Sequence, residues 1–211
     1  MEISIFKSIL STLLVGSLIG SITSIGVFCF LELINFFSSI IKKKKFLFDD
    51  INTFLSFDIL IYVFILPVIA GLLVGTLRKF GLGNRWHGPP DVILSAHSNK
   101  EKLNIKSGFL ASFSAIVSIS AGGSVGQYGP LVHFGATIGA NIKNFFRSVG
   151  DYQVFLGAGV AAAISAGFGA PIAGLIFSRE VILRHQSLAS FAPILVSSIV
   201  AYLISKFFFG I

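Results

Sequence analysis

The chain has 211 residues, of which 54% are hydrophobic and 12% charged, and its mean hydropathy is +0.89. Soluble domains carry about twice that share of charged residues, so the composition excludes an ordinary water-soluble protein. The net charge of +7 does not indicate a nucleic-acid partner, because the basic residues lie between apolar segments, as in the loops of membrane proteins. These residues are Lys42, Lys43, Lys44, Lys45, Arg78, Lys79, Arg85, Lys100, Lys102 and Lys106.

Apolar segments recur along the whole chain, and several reach or approach the roughly 20 residues that cross a bilayer as a helix. They cover residues 9–41, 59–77, 109–121, 131–142, 154–183 and 188–209. The first is about twice as long as the apolar region of a secretory signal and is expected to stay as a membrane helix. The pattern predicts an all-α integral membrane protein, with residues 1–211 as one transmembrane domain that passes several times through the cell membrane.

Within the apolar segments, three pairs of glycines are spaced four residues apart, which places both members of a pair on one face of a helix. They are Gly16 with Gly20, Gly71 with Gly75, and Gly135 with Gly139. Small residues at this spacing let helix backbones approach closely in lipid. Each pair therefore predicts a closely packed neighbouring helix.

The sequence His87-Gly-Pro-Pro-Asp91 precedes an apolar stretch, 92–96, that is too short to span a membrane. Proline is favoured at the first position of a helix, and carboxylates are favoured in its first turn. We therefore expect a short re-entrant helix whose amino end lies near Gly88.

Two further helix starts are expected inside hydrophobic sequence, at Gly129 and at Ala170. They lie in Gly126-Gln-Tyr-Gly-Pro-Leu-Val132 and in Gly167-Phe-Gly-Ala-Pro-Ile-Ala173. A break in a membrane helix is tolerated where the freed backbone is buried in protein or lines a polar cavity. Helix amino ends carry partial positive charge and point N–H groups outward, so they favour a bound anion. Either motif alone fits a simple kink as well, but three starts in one chain favour an anion site.

These motifs resemble those of the CLC family of chloride channels and chloride/proton antiporters. The segment 124–139 resembles the family's Gly-Lys/Arg-Glu-Gly-Pro segment, and 167–181 resembles its later Phe-Asn-Ala-Pro-Leu-Ala-Gly segment. His87 to Val92 stands where the family has Gly-Ser-Gly-Ile-Pro-Glu. The resemblance implies one half of an inverted-repeat fold that binds chloride at helix amino ends. It further implies a homodimer, with the second half supplied by continuing sequence, by a companion chain or by a second copy.

The resemblance also assigns candidate roles to single residues. The implied pore residues are His87, Gly88, Gly126, Gln127, Tyr128 and Gly129. Tyr128 replaces the gating glutamate, and its hydroxyl either contacts the anion or its ring plugs the path. Val181 replaces the internal proton-transfer glutamate, while Glu180 matches a more general glutamate beside it. Because both proton-handling carboxylates are replaced, we expect passive chloride conduction. His87, at the position of an anion-binding serine, either contacts the anion or is a solvated loop residue.

Other classes of function have less support in the sequence. Gly122-Gly-Ser124-Val-Gly126 matches the nucleophile motif of hydrolases, with His133 or His185 as a possible base, but that motif requires a preceding strand and the chain has an apolar helix there. His133 is expected to hydrogen-bond to a neighbouring helix. No metal and no cofactor are expected, because only His87 and Asp91 have ligand spacing and two ligands do not make a site. A non-conducting or partner-dependent half-subunit remains an alternative.

Overall fold

The computed structural model describes residues 2–45, 57–81, 87–98, 102–184 and 188–210, and its regular elements in these ranges are helical. The helices are α1 (Glu2–Lys45), α2 (Phe57–Gly81), α3 (Pro89–His97), α4 (Ile105–Ser120), α5 (Tyr128–Phe145), α6 (Tyr152–Phe168), α7 (Pro171–Phe177) and α8 (Leu188–Ile204). Helices α7 and α8 continue as π-helical segments, Ser178–Leu183 and Ser205–Phe209. Arg85, Lys100 and His185, which figured in the sequence analysis, lie outside the described residues.

Helix α6 forms the centre of the fold, and its side chains from Phe155 to Ala166 are all buried. Helices α1, α5, α7 and α8 pack around it. A helix that is apolar on every side is expected to be surrounded by protein or lipid. Its many alanines and glycines keep the helix narrow, so four neighbours fit around it.

Two of the three glycine pairs have the close neighbours that their spacing predicts. A Cβ atom added at Gly139 would overlap the carbonyl oxygen of Phe155 in α6, and one at Gly135 would overlap that of Gly159. In α1, a Cβ at Gly16 would lie 2.6 Å from the Pro193 carbonyl oxygen of α8. In α2, a Cβ at Gly71 or Gly75 meets no described atom within 4 Å, although α2 packs against α4 through other residues.

Buried serines link the helices through hydrogen bonds to carbonyl oxygens of neighbouring helices. Ser197 Oγ in α8 donates to Ala158 O in α6 at 3.0 Å, and Ser165 Oγ in α6 donates to Ser198 O at 2.6 Å. Ser24 Oγ in α1 donates to Ala201 O at 3.1 Å. Since hydrocarbon offers no water as a partner, such bonds satisfy the hydroxyls and hold the helices together.

The predicted break within the long apolar stretch 154–183 is confirmed. Helix α6 ends at Phe168 and is capped by Gly169, whose φ of 65° is in the left-handed region that glycine adopts without steric cost. Ala170 precedes the next helix, and Pro171 is its first residue. The chain therefore turns at this point and does not cross as one continuous helix.

Two described segments are long and apolar enough to cross a membrane, as judged by length and composition: Leu10–Ile40 in α1, and Ser190–Phe209, which covers α8 and its π-helical end. Helix α2 has 25 residues with Pro67 inside it, and α3 to α7 have 18 residues or fewer. The outer face of α2 carries large apolar side chains that are more than half exposed, namely Phe64, Val68 and Leu72. A surface of this kind is compatible with lipid or with another protein, and not with water.

Candidate functional site

Helix α3 begins where the sequence predicts and is capped by its own first turn. The Gly88 N–H donates to Asp91 Oδ2 at 2.9 Å, and the Asp91 N–H donates to Gly88 O at 3.0 Å. Pro89 and Pro90 between them have no N–H. The amino end of α3 therefore has no free backbone donor from Gly88 to Asp91.

The carboxyl end of α3 is fixed to α6 by side chains of the first turn of α6. Tyr152 Oη lies 2.9 Å from Ser95 Oγ and accepts the Leu103 N–H at 3.1 Å. Gln153 Nε2 donates to Ala96 O at 2.7 Å. These contacts set the position of a nine-residue helix that is too short to be held by its own stability.

Helix α5 begins at Tyr128, one residue before the predicted start, and its amino end differs from that of α3. Leu131 N–H bonds back to Gln127 O at 3.2 Å. Within the described ranges, the N–H groups of Gln127, Tyr128 and Gly129 have no hydrogen-bond acceptor. This end of α5 therefore presents the free donors and partial positive charge expected of an anion site.

A cavity of about 120 Å³ lies between the amino ends of α3 and α5. A Cβ added at Gly129 would lie 3.7 Å from Pro89 Cγ, so the two ends come close to each other. The lining residues are His87, Gly88, Pro89, Ala111, Ser112, Gly129, Pro130 and His133. This volume exceeds the roughly 30 Å³ that a water molecule occupies in the liquid, so a small ion fits.

Three of the six candidate pore residues, His87, Gly88 and Gly129, line this cavity. The other three, Gly126, Gln127 and Tyr128, precede or begin α5 and are not among the lining residues. The Tyr128 ring stacks on Phe168 at the end of α6, with centroids 3.8 Å apart and planes 21° apart.

His133 is the residue that the sequence analysis misjudged. It is 2% exposed and lines the cavity, and neither Nδ1 nor Nε2 has a hydrogen-bond partner among the described residues. The expected hydrogen bond to a neighbouring helix is therefore not found. Its position gave a signal, because residue 133 lies one helical turn after Gly129 and on the same face of α5. Ser112 of α4 lines the same cavity, and nothing in its sequence context indicated this.

Glu180 and Val181 lie in the π-helical segment that follows α7, and both are exposed. They do not line the cavity. The neighbouring Arg179 guanidinium lies over the ring of Phe191, 5.0 Å from its centroid. This is a cation–π contact, in which the electrons of the ring attract the guanidinium.

The hydrolase alternative needs a strand immediately before Ser124. The structure has helix α4 there, ending at Ser120, followed by a turn and irregular chain up to Gln127. Ser124 is exposed, and the strand–turn–helix geometry of a nucleophile elbow is not formed in residues 105–145.

Residues 68–211 match the family model described as voltage gated chloride channel. Over 154 residues the chain is 30% identical to a putative chloride channel protein ClcB-like of Ralstonia nicotianae, which covers 69% of this chain and 35% of that protein. Over 144 residues it is 27% identical to the voltage-gated ClC-type chloride channel ClcB of Shigella flexneri, with 66% and 34% covered.

A solved structure described as a CLC-type fluoride/proton antiporter superposes on this fold with a TM-score of 0.72 at 21% sequence identity. The match covers 94% of this chain and 47% of that chain. The chain thus spans about a third of the length of the two sequence relatives and about half of the length of the structural one.

Proposed function

Because this chain belongs to the voltage gated chloride channel (CLC) family, we propose that it supplies one half of an anion pathway across a membrane. Chloride or a similar small anion is held in the cavity between α3 and α5. The observation that carries the proposal is the amino end of α5, where the Gly129 N–H has no acceptor in the described structure and Gly129 lines the cavity. An anion supplies the acceptor that this group requires.

The two helix ends contribute unequally to anion binding. Helix α5 offers free N–H groups, whereas the prolines and Asp91 leave the start of α3 without one. A neutral imidazole can donate one hydrogen bond, so His87 and His133 are the further donors within the cavity. We assign the attraction for the anion chiefly to α5, with the histidines completing the site.

Transport through this pathway is passive in our proposal. Tyr128 and Val181 stand where the family's antiporters carry the two glutamates that handle protons, and neither side chain can serve as a carboxylate. Tyr128 is the gate position. Its ring rests on Phe168 beside the start of α5, from where it can narrow the approach to the cavity.

The test is chloride efflux from proteoliposomes that contain the purified chain, measured together with internal pH. We expect chloride efflux that a potassium ionophore accelerates by dissipating the membrane potential, with no proton uptake driven by the chloride gradient. Proton movement in fixed ratio to chloride would refute passive transport. Gly129→Val should reduce efflux because it fills the cavity, while Gly71→Val, on an open face of α2, should not.

A second candidate is a partner-dependent half-subunit. It is favoured by the share of the relatives that this chain covers and by the unpacked apolar face of α2, which includes Gly71 and Gly75. On this hypothesis the chain functions as a homodimer or with a complementary second-half chain. Efflux that appears only after a second-half chain is added would identify this case.

A further inference from the structure

Three potential metal ligands from two helices meet at the cavity. His87 precedes α3, Asp91 lies in its first turn, and His133 lies in α5; one ligand atom from each falls within 4.8 Å of the other two. His87 Nδ1 lies 3.8 Å from Asp91 Oδ2. Two of these residues were recognisable as a pair from their spacing, and the fold adds the third.

His133 provides an independent reason to expect a ligand at this position. Its side chain is 2% exposed, and both ring nitrogens lack partners in the described part of the chain. Burying a polar ring without partners is unfavourable. A neutral imidazole has one donor nitrogen and one acceptor nitrogen, and an anion can satisfy only the donor. The remaining lone pair is suited to a metal ion.

The chemistry of the three ligands selects the class of metal. Two imidazoles and one carboxylate suit Zn²⁺ and similar divalent transition metals, whereas Ca²⁺ and Mg²⁺ prefer oxygen ligands. In a tetrahedral zinc site with bonds of about 2.0 Å, neighbouring ligand atoms lie about 3.3 Å apart. His87 Nδ1 and Asp91 Oδ2, 3.8 Å apart, are close to that separation. The three ligand atoms lie within 4.8 Å of one another, so zinc binding requires them to approach one another by up to about 1.5 Å.

The surroundings of the ligands fit such a site. Asp91 Oδ2 also accepts the Gly88 N–H, so the carboxylate is oriented by the helix cap, as outer hydrogen bonds orient metal ligands. The absence of free N–H groups from Gly88 to Asp91 reduces the repulsion of a cation on the α3 side of the cavity. The positive amino end of α5 opposes a cation and favours an anion as the fourth ligand. Three protein ligands leave a fourth position open towards the cavity, where water or an anion can bind.

We propose that His87, Asp91 and His133 bind Zn²⁺ or a similar divalent transition metal in the cavity. As a consequence that rests on the proposed function, bound metal blocks the anion pathway, because the ion fills the cavity and holds an anion at its open position. Metal binding itself does not depend on that function.

The test is titration of the purified, tag-free chain in lipid nanodiscs with Zn²⁺, followed by isothermal calorimetry, with Mg²⁺ titrated separately. We expect one Zn²⁺ per chain and no binding of Mg²⁺. His133→Gln should weaken Zn²⁺ binding by at least about tenfold, as the loss of a coordinating group does. His97→Gln, at the exposed carboxyl end of the same α3, is the matched control and should bind as the native chain does.

Two further measurements keep the outcomes distinct. Asp91→Asn provides a second variant if His133→Gln does not fold, as judged by size-exclusion chromatography, and X-ray absorption of the zinc complex should show two imidazole nitrogens. An absence of Zn²⁺ binding, or equal binding by His133→Gln, overturns the proposal. Zinc binding without chloride efflux, both from the chain alone and after a second-half chain is added, refutes the proposed function and leaves the metal site standing. Efflux that zinc does not change, with no zinc binding, refutes the metal site and leaves the proposed function standing.

Discussion

A side chain at Gly139 would overlap the carbonyl oxygen of Phe155, whereas one at Gly71 would meet no described atom within 4 Å. The two glycines have the same spacing to a partner glycine and similar apolar surroundings in sequence. They differ in whether a second backbone lies against them. Backbone atoms in a packed helix pair cannot move aside as a flexible side chain can, so the contact fixes the distance between α5 and α6.

Gly139→Ala is therefore expected to destabilise the protein by about 1–3 kcal/mol, the usual cost of overpacking a core. Thermal unfolding in detergent, followed by the loss of monodisperse protein, measures the effect. Gly71→Ala is the control and should leave the unfolding midpoint unchanged or raise it slightly, because alanine favours helix over glycine. Equal midpoints for the two variants would show that the α5–α6 contact is looser than described.

The role of Tyr128 can be separated into that of its ring and that of its hydroxyl. Its ring stacks on Phe168, and its hydroxyl is the part that could contact an anion. Tyr128→Phe keeps the stacked ring, so we expect unchanged chloride efflux if the ring is the obstacle. Tyr128→Ala removes the ring and should raise efflux. A loss of efflux in the phenylalanine variant would instead assign the role to the hydroxyl.

At the scale of single elements, α3 depends on its neighbours more than any other helix at the cavity. Its nine residues are positioned by Tyr152 and Gln153 of α6, which hold Ser95, Ala96 and Leu103. An isolated helix of this length is unstable in water. The geometry of the cavity therefore depends on hydrogen bonds at the opposite end of α3.

Tyr152→Phe removes the hydroxyl that contacts Ser95 and Leu103. We expect destabilisation of about 0.5–1.5 kcal/mol for each hydrogen bond lost. Tyr202→Phe is the matched control, because the Tyr202 hydroxyl only accepts an exposed bond from Lys206 Nζ at 3.1 Å, and it should have little effect. Unfolding midpoints of the two variants and the native chain compare them, and equal shifts would argue against a clamp at Tyr152.

The starts and ends of elements were largely predictable from the sequence. Pro89 and Pro171 begin helices because a first-turn proline sacrifices no hydrogen bond, and the break at Gly169 follows from its left-handed backbone. The start of α5 was misplaced by one residue, since Tyr128 has no feature that distinguishes it from a preceding loop residue. That no described residue packs on Gly71 and Gly75 could not be foreseen, because glycine spacing indicates a capacity for contact and not its occurrence.

At the scale of the whole molecule, the cavity combines residues that are distant in sequence. His87 and Asp91 are separated from His133 by the remainder of α3, by α4 and by the first turn of α5. Local periodicity places each residue on a helix face but does not state which faces meet. The resemblance to the family identified His87, Gly88 and Gly129 as candidates. The place of His133 in the cavity could be recognised only from the packing of α5 beside α3.

The extent of the match to relatives leads to a prediction about assembly. On the proposed function, efflux from proteoliposomes should rise when this chain is reconstituted with a chain that carries the second half of a CLC relative. The added helices would correspond to the part of the relatives that this chain does not cover. Crosslinking and size-exclusion chromatography of the mixture check for the joint complex, and a matched mixture with an unrelated membrane protein should give no increase.

The contact between α1 and α8 has a consequence for biosynthesis. Ser24 bonds to Ala201, 177 residues later, and Gly16 packs on Pro193. At about 5–20 residues per second of synthesis, α1 waits roughly 10–35 s in the membrane before its partner exists. During that interval its small-residue face is open to insertion factors or to the α1 of another nascent chain, so assembly errors should concentrate there.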